Sequence, residues 1–104
     1  MLNVKKEEID SVKGLHVIRL TFGPKATLKP HRAPDHVVVV CTRGSGRWMM
    51  NGEVHPLVTG VTLSVPARVE HAVEADDDLQ VVITHVELGG VERPATTATS
   101  AAAS

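Results

Sequence analysis

Short apolar runs closed by turn residues dominate this chain, and they constrain its fold more than any other feature. HVVVVCTR at 36–43 is the densest of them. LHVIRLTF (15–22), GRWMMN (46–51), EVHPLV (53–58), VTLSV (61–65), VEHAVEA (69–75) and LQVVITHVEL (79–88) share its character, with a shorter piece at 26–30. Valine recurs in all of these except GRWMMN and the piece at 26–30. Branched side chains of this kind pack well on a pleated surface and lose rotamer freedom in a helix. Gly, Pro, Asn and Asp interrupt the runs every eight to twelve residues or so, the rhythm of a sandwich or barrel. No stretch carries an apolar stripe at helical period. The nearest, residues 4–12, is expected to form at most one helical turn before the first strand. The spacing predicts an all-β fold of about eight strands with short connections.

Asn51-Gly52 is the sharpest local signal. Both residues tolerate the positive φ angles of a two-residue type I′ hairpin. Such a turn pairs Met50 with Glu53, Met49 with Val54 and Trp48 with His55. By contrast, TRGSG at 42–46 and Asp76-Asp77-Asp78 are expected to be turns between strands.

Composition narrows the class. The chain has 104 residues, suited to one domain. That domain is expected over 1–93. PATTATSAAAS, from Pro94 to 104, has no large apolar side chain and is expected to be a flexible extension. Aromatics are 2%, Phe22 and Trp48 alone, so the core must be aliphatic. A net charge of −1, with Lys5-Lys6 followed at once by Glu7-Glu8, offers no basic patch, and base-stacking rings are lacking; no nucleic-acid partner is expected. The single cysteine, Cys41, lies inside an apolar run and reads as a buried thiol. No segment is long enough to span a bilayer and MLNVKKEEID lacks a leader's apolar stretch, so a cytoplasmic protein without a membrane partner is expected.

Two histidine-bearing stretches carry the chemistry. PHRAPDHVVVVCTRG, residues 30–44, holds His31 and His36. GVTLSVPARVEHAVEA, residues 60–75, holds His71. In the second, Gly60, Pro66 and His71 have the spacing of the second motif of the cupin superfamily, which the chain resembles. Arg68 stands at that motif's usual glycine and Ala75 at its usual asparagine. The first motif is degenerate. With Gly44 as its closing glycine, His31 takes the first histidine and Ala33 the second. His36 falls at the glutamate, counted in the variant with one extra residue, and Lys25 replaces the opening glycine. The resemblance covers roughly residues 15–88.

That resemblance implies a small antiparallel jelly-roll β-barrel with ligands projecting inward at one mouth. It implies a divalent transition metal (Fe, Mn, Ni, Cu or Zn) held by His31, His36 and His71, with open positions for a small polar or carboxylated molecule. It allows dioxygenase, isomerase or decarboxylase chemistry. It allows equally a metal-free or non-catalytic ligand-binding or sensor domain, and a homodimer. Neutral imidazole suits these metals, whereas a lone histidine on a strand is more often a hydrogen-bonded or surface residue.

Strand alternation sorts the side chains. If His71 points inward, Val69 and Val73 join it while Glu70 and Glu74 face water. If His36 points inward, Val38 and Val40 join it. Val37, Val39 and Cys41 then form a second apolar face, needing cover from the N-terminal segment or a second copy. His85 shares its face with Leu79, Val81 and Ile83, as a core histidine or a further pocket group. His55 is expected to pack near Trp48, and His16 to be exposed. Met49 and Met50 point to opposite faces. Arg47 and Arg68 are solvated, or else carboxylate-binding.

Overall fold

A computed structural model describes residues 3–87, and these contain seven strands and no helix. They are β1 (Val4–Val12), β2 (Leu15–Phe22), β3 (Thr27–His31), β4 (His36–Met50), β5 (Glu53–Val58), β6 (Thr62–Val65) and β7 (His71–Val86). Every pairing is antiparallel. The order is β1-β2-β7-β4-β5, with β3 also on β7 and β6 also on β4. The all-β jelly-roll expectation holds. The expected tail from Pro94 lies outside the described residues.

Two long strands build the frame, and here the structure corrects the sequence reading. Residues 36–43 and 46–51 are parts of one strand, β4, and 69–75 and 79–88 of another, β7. TRGSG and the three aspartates are not turns. They are where both strands bend, with register shifts between Cys41 and Arg43 and between Gly44 and Gly46. Bulges let a strand pass from one sheet face to the next. Gly44 makes the bend sterically possible: its φ is +83°, and a Cβ there would collide with the carbonyl oxygen of Asp78.

Beyond the bend the partners change. The first half of β4 (37–40) pairs with β6, and its second half (45–50) pairs with β5. The start of β7 pairs with β3, and its end pairs with β2. The two halves turn their inner faces toward one another and fill a single aliphatic core. Val37, Val39 and Cys41 face that core, as do Leu79, Val81 and Ile83. Trp48 and Phe22 are fully buried within it.

Two further expectations divide. The Asn51-Gly52 hairpin has the anticipated register, with φ +52° and +72°. Residues 4–12, by contrast, form strand β1 rather than a helical turn. They fold back on β2 through Lys13-Gly14, with Gly14 at φ +85°, and pair from Val4↔Phe22 to Val12↔Leu15. Backbone pairing to a neighbour outweighs the weak periodicity of VKKEEIDSV. Among the described residues no helix is long and apolar enough to cross a membrane.

Candidate metal and ligand site

The site lies at one open end of the core, where β3 and β7 meet. His31 ends β3 and His71 begins β7, and the two are direct cross-strand partners. Pro30 and Pro34 bracket His31 and fix φ on both sides of it. The loops that follow β3 and precede β7 are tied together. The Arg68 N–H donates to the Ala33 carbonyl at 2.8 Å, and Arg32 Nη1 donates to the Arg68 carbonyl at 3.4 Å.

His71 points inward, and Val73 is buried beside it while Glu70 and Glu74 are exposed, as alternation requires. Its side chain is 4% exposed and lies parallel to the Trp48 indole, with ring centroids 4.8 Å apart and planes at 16°. Trp48 Nε1 is buried without a hydrogen-bond partner among the described residues.

The hydrogen bonds fix both tautomers. His71 Nδ1 lies 3.0 Å from the Val69 carbonyl oxygen, and His31 Nδ1 lies 3.2 Å from that of Lys29. A carbonyl only accepts, so each Nδ1 carries a proton. Each neutral ring therefore presents a bare lone pair at Nε2. Those two Nε2 atoms face each other at 3.1 Å. Two lone pairs so close repel unless an electrophile, a proton or a metal ion, lies between them.

Burial holds the His71 pKa below the usual histidine value of 6.5. The Val69 carbonyl opposes that shift, and charge on His31 or His85 adds to it. The shift favours the neutral imidazole, the form that can ligate.

The third expected ligand is not with them. His36 lies on the opposite face of β4, where its Nε2 bonds Ser64 Oγ of β6 at 2.7 Å. Its neighbour Val37 takes the inward place, 1% exposed, and lines the cavity beside His31 and His71. The inward set on this strand is therefore Val37, Val39 and Cys41, with Val38 and Val40 on the outer face. A shift of one residue along a strand exchanges its faces. Counting residues from Gly44 could not detect it, because the bulges between Cys41 and Gly46 break the count.

His85 is the histidine that joins the pair instead. It sits on the Leu79-Val81-Ile83 face and lines the same cavity. Burial lowers its pKa, with nearby Asp35 opposing and His16, Lys6 and His31 reinforcing. It also meets His16 edge-on, with ring centroids at 6.0 Å. His16 is partly exposed beside Glu8, 3.6 Å away. His55 stands opposite Trp48 across the hairpin, away from this cavity. Arg47 is held by Asp76 and Glu74 on the outer surface, and its partners raise its pKa further. Cys41 is buried, and burial raises its thiol pKa, so it is an inert core residue.

The donor chemistry fits a metal at two positions and no more. Both Nε2 atoms have the outward-bonded Nδ1 that metal-bound histidines use to fix ring orientation. Yet among the described residues no group of three or more His, Cys, Asp or Glu side chains could hold a metal ion.

Comparisons with known proteins agree with this architecture. The family profile described as Cupin domain matches residues 18–87. No curated protein matches the chain. Among solved structures, an RmlC-like cupin from Shewanella frigidimarina is 17% identical with a TM-score of 0.78, over 85% of this chain and 79% of that one. An RmlC-like cupin protein from Desulfovibrio desulfuricans is 23% identical with a TM-score of 0.75, over 82% and 83%. A cupin-like protein from Thermotoga maritima is 23% identical with a TM-score of 0.78, over 85% and 71%. At these identities the likeness is one of fold.

Proposed function

The chain belongs to the Cupin domain family, and on that premise we propose that it is a small metal-binding cupin that takes a small molecule into the end of its barrel. The observation that carries this reading is the 3.1 Å approach of two Nε2 atoms whose Nδ1 atoms are both committed to carbonyl oxygens. A divalent transition metal (Fe, Mn, Ni, Cu or Zn) would be held by His31 and His71. When bound, it supplies a positive charge that polarises a ligand oxygen or acidifies water.

The chain's own residues do the rest. The Val69 and Lys29 carbonyls orient the imidazoles, and the Trp48 ring holds His71 in place. The Arg68–Ala33 backbone bond keeps the two histidine-bearing loops together. Ile18, Leu20, Val37 and Ile83 exclude water from the inner wall. His85, beside Asp35, is placed to give or take a proton at the cavity's outer end.

Val37 supports a second reading, a metal-free ligand-binding domain in which a proton lies between the two rings. Metal analysis separates the two. Tag-free protein, reconstituted with Fe(II), Mn, Ni, Cu or Zn and desalted, is expected to retain close to one metal per chain. His71→Ala and His31→Ala should each abolish retention. Background metal after all five reconstitutions would leave only the second reading.

A further inference from the structure

The cavity's lining is specific enough to name a ligand class. It encloses about 240 Å³, below the ~300–1,000 Å³ of sites for drug-sized molecules. One wall is aliphatic: Ile18, Leu20, Leu28, Val37 and Ile83. The polar lining is cationic or imidazole throughout, from Lys6, His31, His71 and His85. Among the described residues no carboxylate lines it. Neither does an aromatic ring other than imidazole, so there is no platform for stacking a sugar or a base.

Lys6 is placed there by the strand register. It stands directly opposite Leu20 in the β1–β2 pairing, so its side chain leaves the edge strand on the core-facing side. Lys6 Nζ has no ion pair or hydrogen bond among the described residues, whereas Arg19 and Arg47 each have a carboxylate partner. The exposed Lys6 thus brings a positive charge to the rim of an aliphatic chamber. Two acids share its surroundings: Glu8, two residues along on the same face of β1 and opposite Ile18, and Asp35, which lines the outer continuation of the cavity together with Lys6, His16 and His85.

We infer that the ligand of this cavity is a small aliphatic monocarboxylate, its chain against Ile18, Leu20 and Ile83 and its anionic head drawn to Lys6. The charge selects an anion over an amine. The aliphatic wall selects a hydrocarbon chain over a polyol, which would leave its hydroxyls without partners. Lys6 also makes the preference breakable without touching the histidines or the core. The inference rests on the proposed function for the location of the site, and not on the metal.

The test is an NMR titration of the full chain with pentanoate, 1-pentanol, pentylamine and glucose, followed at the amides of Ile18, Leu20, Leu28 and Ile83. Each titration is run with chelator and again after zinc loading. Pentanoate is expected to bind about tenfold or more tightly than pentanol, a difference of about 1.4 kcal/mol, with pentylamine and glucose weaker still. Lys6→Gln, an exposed change on an edge strand, is expected to bring pentanoate down to the level of pentanol and leave pentanol unchanged. Equal binding of pentanoate and pentanol, preference for glucose or the amine, or a Lys6→Gln variant that keeps the carboxylate preference would each overturn the inference. If zinc fails to bind while the Lys6-dependent preference persists, the metal reading falls and this one stands. If zinc binds and no probe shows the preference, the reverse holds.

Discussion

His31 and His71 meet Nε2 to Nε2 at 3.1 Å, from strands that pair directly at those two residues, with each Nδ1 turned back to a carbonyl two residues earlier in its own chain. The pair is built by backbone register as much as by side-chain choice. Its sharpest contrast is with His36, which shares a sequence neighbourhood with His31 but not a face of the sheet.

That contrast gives the first prediction. His31→Ala and His71→Ala should each weaken zinc binding by about 100-fold or more, since each removes a proposed ligand rather than a neighbour of one. His36→Ala should change it by less than about threefold, because only the Ser64 bond is lost, at a stability cost of about 1 kcal/mol. Competition titration against a chromogenic chelator reads all three. Zinc binding that depends on His36 as strongly as on His71 would place the site on the wrong face.

Acid should weaken the metal-free fold earlier than its carboxylates alone require. His71 and His85 both have folded pKa values below the 6.5 of an exposed histidine, mainly through burial. Around His85, Lys6, His16 and His31 push the same way and Asp35 opposes. On acidification the unfolded chain therefore takes up these protons first. Their contribution to stability is complete above pH 6.5 and is lost as pH falls through the folded values. Urea midpoints measured with chelator should fall between pH 7.5 and 5, and His85→Gln should flatten part of that slope. The Arg47-bonded Asp76, whose pKa is lowered from 3.8, acts in a separate and more acidic window.

Two departures from the family's motifs lie where the backbone favours glycine. Lys25 has φ +63° and Arg68 has φ +65°. Left-handed backbone is costly for a residue with a Cβ, and glycine removes that cost while losing more chain entropy on folding. Lys25→Gly and Arg68→Gly should each raise stability by about 0.5–1 kcal/mol, or ~2–6 °C in Tm. Calorimetry of the two variants decides it, and a lower Tm for Lys25→Gly would refute the strain argument.

Gly44 is the opposite case. Alanine there meets the Asp78 carbonyl and must also adopt φ +83°. Gly44→Ala should cost about 2 kcal/mol or more and broaden the bend between the two halves of β4. Gly52→Ala, with open space around its would-be Cβ, should cost only the φ penalty. Chemical denaturation of the two side by side separates collision from conformation.

Much of this molecule is legible in its sequence, for physical reasons that also show where reading stops. Alternation placed His71, Val73 and Glu74 on their correct faces, because one face of β7 is buried and the register is strongly specified. Asn51-Gly52 set a hairpin by its local φ angles alone. The structure sets His36 one residue away from the inward position, on the face opposite His31 and His71, since a bulge moves a strand's register without leaving any mark at the residues it displaces. The merging of two predicted strands into β4, and of two into β7, has the same origin: glycine and aspartate at 44–46 and 76–78 read as turns, yet the long-range pairing between them keeps both strands continuous. His85 was visible as a core-face histidine, but only the closure of β2 and β3 onto β7 brings it to the same cavity as His31 and His71.

Trp48 is the only tryptophan in the chain, and its ring lies flat against His71. The protein therefore carries its own optical gauge of the site. Any event that changes the charge on that imidazole changes the excited-state surroundings of a single, fully enclosed fluorophore. Emission intensity can report occupancy at the histidine pair in unlabelled protein, in real time and at low concentration, with His71→Ala as the silent control.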